Sequence, residues 1–359
     1  MSDWVFHSVL IITRMKISIF ILLLIPLVSG CEKILIGTGP ENTPSDNFNI
    51  LWTTIDEKYG LFPVSDLNWD SLHTVYYSQI DESTSDEQLW NICSGLLSHL
   101  KNGHISLYNK NYTRRYCPDD AQPDVYSGVS IDLIKSKYLE EPKVSGEGFI
   151  VYGKLKNSGL GYIMISSFYY AANGRDWILD MDQVITELQE CKGIVIDVRN
   201  NGGGYLRNDE YAASLFLDRE VVYYYSKQKT GPGHDDFGEA TAKTIYPREG
   251  PGFTGKNTVL TNRATASGGE AFALALGNLP YSVQIGDTTL GAIGEVSHVA
   301  QLPNGWTLYY PCTLSLYPDG TSPEGIGVIP DIVINNTPMD VTSGRDFVIE
   351  KAIEYLSEQ

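Results

Sequence analysis

Residues 193–204 read GIVIDVRNNGGG, an apolar run rich in β-branched residues that ends in charged groups, two asparagines and three glycines. Such a run predicts a hydrophobic strand over Gly193–Arg199. The glycines behind it free the backbone to take positive φ and to approach a ligand closely. No Gly-Lys-Ser/Thr follows, so this is not a phosphate loop. Asp197 and Arg199 read equally well as structural hydrogen-bonding groups at the strand end. Upstream, Leu160–Ser166 predicts another strand, with a helical segment around Trp177–Glu190 between the two. Downstream, Thr258–Thr261 is a short buried strand, Gly268–Leu276 a helix and Val283–Asp287 a strand. A hairpin is expected over residues 296–316 around Pro303-Asn304-Gly305, then a last strand at Ile332–Ile334. Ser343 is placed to cap a terminal helix ending near Leu356. Strand–helix alternation of this kind predicts an α/β core over residues 125–359.

Residues 47–124 read as a small helical domain. Phe48, Leu51, Trp52 and Ile55 recur at helix spacing. Ser85-Asp86-Glu87-Gln88 has capping-box form and opens a stripe of Leu89, Ile92, Cys93, Leu96, Leu97 and Leu100. Gly103 stands where that helix would stop, directly before His104.

The N-terminus carries its own signal. Met15-Lys16 precedes an apolar run from Ile17 to Val28 and the small residues Ser29-Gly30-Cys31. That pattern predicts a secretory signal over residues 1–30, too short for a comfortable membrane span. Val28-Ser29-Gly30-Cys31 resembles a bacterial lipobox, which makes Cys31 the expected lipid attachment point and a membrane the expected partner. The simpler alternative is a plain signal with an incidental cysteine. Residues 31–46, rich in Gly, Pro, Asn and Ser, suit a flexible tether. The expected location is the bacterial cell envelope, lipid-anchored, on the periplasmic or outer surface.

The chain of 359 residues has 42% hydrophobic and 19% charged residues, ordinary for a globular enzyme. Its net charge of −18 and lack of a Lys/Arg run beyond the signal argue against nucleic acid as a partner. Besides Cys31, the cysteines are Cys93, Cys117, Cys191 and Cys312, which allow three pairings or free thiols. Their spacing shows no zinc pattern, and no metal or organic cofactor is expected.

Two further segments bear on chemistry. In Thr261–Glu270 (TNRATASGGE) a strand runs through small residues into a helix that begins at Ser267. A serine there stands exposed above a sheet edge, with free helix-start N–H groups beside it. By itself the segment reads as an ordinary serine cap. His104, likewise, matters only where the fold brings it to Ser267, since a serine needs a base to become a useful nucleophile.

Together IVIDVRNNGGG, TASGGEAFALAL, IGDTTLG and the closing Glu324-Gly325-Ile326-Gly327-Val328-Ile329-Pro330-Asp331 resemble, in order, the C-terminal-processing (tail-specific) proteases and the tricorn core protease. The resemblance covers roughly residues 48–335 and is similar to a PDZ-less, tricorn-like bacterial lipoprotein member. It implies a crotonase/ClpP-like α/β core behind a small N-terminal helical domain, and serine-dependent cleavage of polypeptides. Carried over residue by residue, it makes Ser267 the nucleophile. The oxyanion hole falls to the amide of Gly268 and, best among three loop glycines, Gly203, with Gly202 or Gly204 as alternatives. The lysine base of the tail-specific branch falls on Ala292. The tricorn branch uses a histidine and a glutamate, and Asn102-Gly103-His104 and Glu324 fit those positions. That branch also has a serine before the histidine, where this chain has Gly103; Ser106 lies close but does not match. From composition alone Glu324 is a loop glutamate, a residue type usually solvated. The interval Asn109–Leu160 is too short for a typical PDZ domain of about 90 residues. The competing reading is a protein on the same fold that binds peptides or apolar ligands without hydrolysis.

Overall fold

A computed structural model describes residues 41–109, 113–115, 128–295 and 298–358. The signal, Cys31, most of the tether and Cys117 lie outside the described residues. Among the described residues no helix is long and apolar enough to cross a membrane.

The described residues open with the helices α1 (Pro44–Lys58), α2 (Trp69–Tyr77) and α3 (Asp86–Ser98). Thr43 caps α1 by accepting from the Asp46 N–H, and Pro44 fills the first turn, where a missing N–H loses nothing. The expected capping box forms at α3, where Ser85 and Gln88 satisfy each other's backbone N–H. Two short strands follow, β1 (Ser106–Tyr108) and β2 (Thr113–Arg115).

The core then alternates as expected, with β3 (Leu139–Ser145), β4 (Ile150–Leu155) and β5 (Gly161–Ile165), then α4 (Met181–Leu188) and β6 (Ile194–Asp197). Next come α5 (Leu206–Ser214), β7 (Val221–Gln228), β8 (Thr241–Ile245), β9 (Asn257–Thr261), α6 (Gly268–Gly277) and β10 (Ser282–Gly286). The chain closes with β11 (His298–Gln301), β12 (Thr307–Tyr310), β13 (Thr313–Leu316), β14 (Ile332–Val333), α7 (Pro338–Thr342) and α8 (Phe347–Ser357).

A seven-stranded sheet in the order β14-β10-β9-β6-β5-β4-β3 forms the centre. Its strands β5, β6, β9, β10 and β14 run parallel, while β3 and β4 form an antiparallel flank. The two-residue period of a strand sorts its side chains onto two cores. Ile163, Ile196 and Val259 pack with Ile185, Ala212 and Phe272 of α4, α5 and α6. Tyr162, Val195, Leu260 and Ile285 pack instead against Val348, Ile349 and Ala352 of α8.

The hairpin expected around residues 303–305 forms from β11 and β12, with Gly305 at φ 83° in the turn. β13 departs from it to pair with β7. The hairpin joins the helical layer rather than the central sheet: β12 pairs with β1 in the four-stranded order β11-β12-β1-β2. Trp306, Leu308 and Tyr310 share one buried cluster with Phe48, Trp69, Trp90 and Leu96. The helical layer therefore draws its core from both sides of residue 124. The terminal helix is capped by Asp346, which accepts from the Ile349 N–H, and Ser343 instead closes the short α7.

Candidate active site

Two loops meet above the carboxyl ends of the parallel strands. Asn201 in the first accepts the Ala266 N–H on its carbonyl, and its side chain donates to the Ile165 carbonyl at 3.0 Å. Asn262 in the second accepts the Asn200 N–H at 3.0 Å and donates to the Asn200 side chain at 2.7 Å. The Thr265 hydroxyl donates to the Val198 carbonyl at 2.9 Å. Beneath them Arg199 is fully buried and forks onto Asp197 and Asp346. Asp197 also accepts from the Tyr162 hydroxyl at 2.7 Å. Asp197 and Arg199 are thus structural groups, one of the two roles their positions suggested.

Ser267 sits at the junction of β9's loop with α6, at φ 52° and ψ −119°. A non-glycine residue at positive φ is strained and persists only where its surroundings fix it. Here its N–H is held by the Ala292 carbonyl at 3.0 Å and by a Glu270 carboxylate oxygen at 3.0 Å. Glu270 is wholly buried and also accepts from the Gly291 and Ala292 N–H groups at 2.8 and 2.9 Å. Burial raises its carboxyl above the ordinary range against the pull of these donors. The residue had a sequence signal, since Ser267-Gly268-Gly269-Glu270 has the spacing of a capping box.

Gly203, expected to supply an oxyanion amide, does not present one: its N–H donates to the Asn201 side chain at 2.9 Å. Its φ of 89° and its place against Ser267 are what require glycine, for a β-carbon would lie 2.7 Å from the Ser267 Cβ. The next residue, Gly204, is half-buried in the wall of the cavity that Ser267 lines. A β-carbon on Gly204 would fall 2.1 Å from the Phe168 carbonyl carbon. The Gly204 nitrogen lies 3.4 Å from where a β-carbon of Gly268 would stand. Neither the Gly204 nor the Gly268 N–H has a backbone acceptor among the described residues.

Ser267 and His104 line one cavity of about 340 Å³, with Gly204, Gly268, Asp209, Tyr224 and Ile293 also in its wall. His104 is 9% exposed, and its N–H donates to the Asn102 side chain at 2.9 Å. The turn before it packs on the Ser267 support, since a β-carbon on Gly103 would meet Leu290 at 3.6 Å and Ala292 at 3.9 Å. Ala292, at the family's lysine position, is buried, and no lysine lines the cavity among the described residues.

Glu324 is not solvated but 6% exposed. It accepts the Ile293 N–H at 3.1 Å, the Gly294 N–H, and the Asn102 side-chain amide at 3.4 Å. It therefore reaches the His104 turn through Asn102. Burial, aided by the charge of Glu270, pushes its carboxyl up to about 8. Gly204 was one of the three loop glycines the sequence offered, whereas Asn201 and Asp209 escaped the sequence reading, because each acquires its place only from contacts distant in the chain.

Among the described residues no group of three or more His, Cys, Asp or Glu is placed to hold a metal ion. Cys93 and Cys191 carry free thiols, and the Cys312 Sγ lies 2.8 Å from His298 Nδ1.

A two-layer arrangement of helical N-terminal region and α/β core, with a serine at a strained strand-to-helix junction, defines the class. Residues 159–334 match the profile of Peptidase family S41. The carboxy-terminal processing protease CtpB of Bacillus subtilis is 29% identical over 183 residues, covering 50% of this chain and 35% of CtpB. The tricorn protease of Thermoplasma acidophilum is 28% identical over 169 residues, 47% of this chain and 14% of that protein. The chain thus spans well under two thirds of the length of these relatives. A crystal structure of a candidate peptidase from Parabacteroides merdae superposes with a TM-score of 0.79 at 28% identity, covering 88% of this chain and 97% of the other.

Proposed function

We propose that the protein is a serine endopeptidase that cleaves polypeptides, with Ser267 as nucleophile and His104 as general base. The observation that carries this reading is the strained backbone of Ser267, fixed at a helix start on the cavity that His104 also lines. His104 takes the Ser267 hydroxyl proton as the oxygen attacks a peptide carbonyl, and returns it to the departing amine. The N–H groups of Gly268 and Gly204 hold the oxyanion of the tetrahedral intermediate, aided by the positive end of α6. Asn102 and Glu324 position the histidine turn. Charge on Glu324 is not required for this, because a neutral carboxyl still accepts the Ile293 and Gly294 N–H groups.

The buried Ala292 at the lysine position favours a second reading, a binding protein without turnover on the same fold. A fluorophosphonate that labels activated serines separates the two. Wild type is expected to be labelled and to hydrolyse peptides, and Ser267→Ala to do neither while melting at nearly the same temperature. His104→Ala is expected to lose about 10²–10⁴ in rate. Hydrolysis surviving in pure Ser267→Ala would remove Ser267 from the role, and an unlabelled wild type that binds peptides would favour the second reading.

A further inference from the structure

Asp209 is a carboxyl group that the mechanism above does not use. It lies on α5, 1% exposed, in the wall of the cavity that holds Ser267. One oxygen accepts the Glu210 N–H at 3.0 Å, while Oδ2 is buried with no hydrogen-bond partner. A buried carboxylate oxygen without a donor is destabilising by itself, and such groups ordinarily find one. Oδ2 lies beside the first residue of α6, 3.1 Å from where a β-carbon on Gly268 would stand. Ala271, one turn along from Ser267, and Tyr224 and Ile293 form the rest of this recess. Among the described residues two carboxylates line the cavity, Asp209 and Glu295, and neither Lys nor Arg does. Glu295 is already engaged, by an ion pair with Lys243 and by the Tyr224 hydroxyl at 3.2 Å. Asp209 has no cation of its own among the lining residues.

We propose that this recess receives the side chain of the residue whose carbonyl Ser267 attacks, and that Asp209 selects lysine or arginine there. The inference rests on the peptidase reading and deepens it to a substrate class, polypeptides cut after a basic residue. Geometry gives the direction. The Gly268 amide that would hold the carbonyl oxygen and the Ala271 surface that would flank the side chain lie on one helix, and Asp209 borders the space between them. Charge gives the preference. Burial drives the empty carboxyl well above the ordinary carboxylate range, the Glu210 N–H opposing this and the Glu210 charge adding to it. An entering ammonium or guanidinium supplies the missing donor and lets the carboxylate ionise. The pair so formed carries no net charge beside the developing oxyanion. A neutral side chain does neither.

The test uses one peptide amide series with a fluorogenic leaving group, differing only in Lys, Arg, norleucine or Glu at the residue before it. Wild type is expected to favour Lys or Arg over norleucine in kcat/KM by about a hundredfold, and Asp209→Asn to reduce that ratio to a few-fold. Labelling of Ser267 in the variant reports that the site is still assembled, and Asp209→Ala serves as a second variant. Equal or better cleavage after norleucine by wild type would overturn the proposal, as would a uniform loss on all substrates in a labelled variant. To separate recognition from turnover, Ser267→Ala protein is titrated calorimetrically with product peptides ending in Lys or norleucine. Tighter binding of the lysine peptide, lost on adding Asp209→Asn, supports the recess whatever becomes of catalysis. Equal binding overturns it even if peptides are cleaved, whereas missing turnover with selective binding counts only against the peptidase reading.

Discussion

At residue 267 the backbone adopts a conformation a β-carbon disfavours, and the wholly buried Glu270 carboxylate helps to hold it there. Glu270 and Glu324 both accept backbone N–H groups of the segment 291–294 that supports Ser267. Burial raises both carboxyls above the ordinary range. The Glu324 carboxyl stands at about 8, above the ordinary value of 4.5, because the folded protein buries it. A group whose folded value is raised binds more protons folded than unfolded between those two values. Its stabilising contribution is complete below the lower one and is lost as pH rises through the upper. Wild type should therefore lose melting temperature between about pH 5 and 8, and Glu324→Gln should lose distinctly less over the same window. Parallel curves for the two proteins would mean that Glu324 titrates normally. The sequence marked residue 324 by resemblance alone; by composition it was a surface loop residue. What hid it was that its donors come from residues 293 and 294 and from Asn102, none of them adjacent in the chain.

Strand β6 and helix α8 are tied by Arg199, which reaches from the strand end to Asp346 at the helix cap. The guanidinium, Asp197 and Asp346 are all buried, and the Arg199 charge holds the Asp346 carboxyl below its ordinary range despite burial. Removing Asp346 leaves the buried guanidinium with Asp197 alone and takes the acceptor from its Nη1. Asp346→Ala should destabilise by about 3–5 kcal/mol in denaturant titration, more than loss of a helix cap alone, which is about 1 kcal/mol. A loss near the cap value would show that Asp197 alone satisfies Arg199. The strand itself was legible, as were its neighbours, because apolar β-branched runs bounded by glycine leave few alternatives. The cap was not: Ser343 and Asp346 both precede an apolar stretch, and local pattern cannot choose between them. Asp346 wins because the same carboxylate answers both the Ile349 N–H and a buried cation.

On the scale of the whole molecule, the histidine and the serine arrive from different layers. His104 precedes β1, whose place is fixed by pairing with β12, and the hairpin of β11 and β12 is packed by Trp306 against Trp90 of α3. Trp306→Ala should cost about 3–5 kcal/mol of stability and also lower the rate of fluorophosphonate labelling, though the residue is not in the cavity wall. Labelling at the wild-type rate would show that β1 holds its position without the hairpin. The sequence predicted the hairpin from its turn but not its partner, since pairing between distant strands leaves no local trace. The N-terminal segment adds a prediction of its own. If Cys31 carries lipid, Cys31→Ser should move the protein from the membrane fraction to the soluble one, and unchanged fractionation would count against the lipobox.

Asn102 and Glu324, which meet beside the histidine, are 222 positions apart. Contacts of that span form late, because the loop between them must first be closed. A chain emerging from the ribosome presents α1, α2 and α3 long before the hairpin that completes their core. On the proposed mechanism, the unfinished protein carries its base without a nucleophile, and then a nucleophile without a positioned base. Birth order thus acts as a safety catch: cutting ability would appear only when nearly the entire polypeptide has been delivered, which spares the nascent chain and its neighbours from attack.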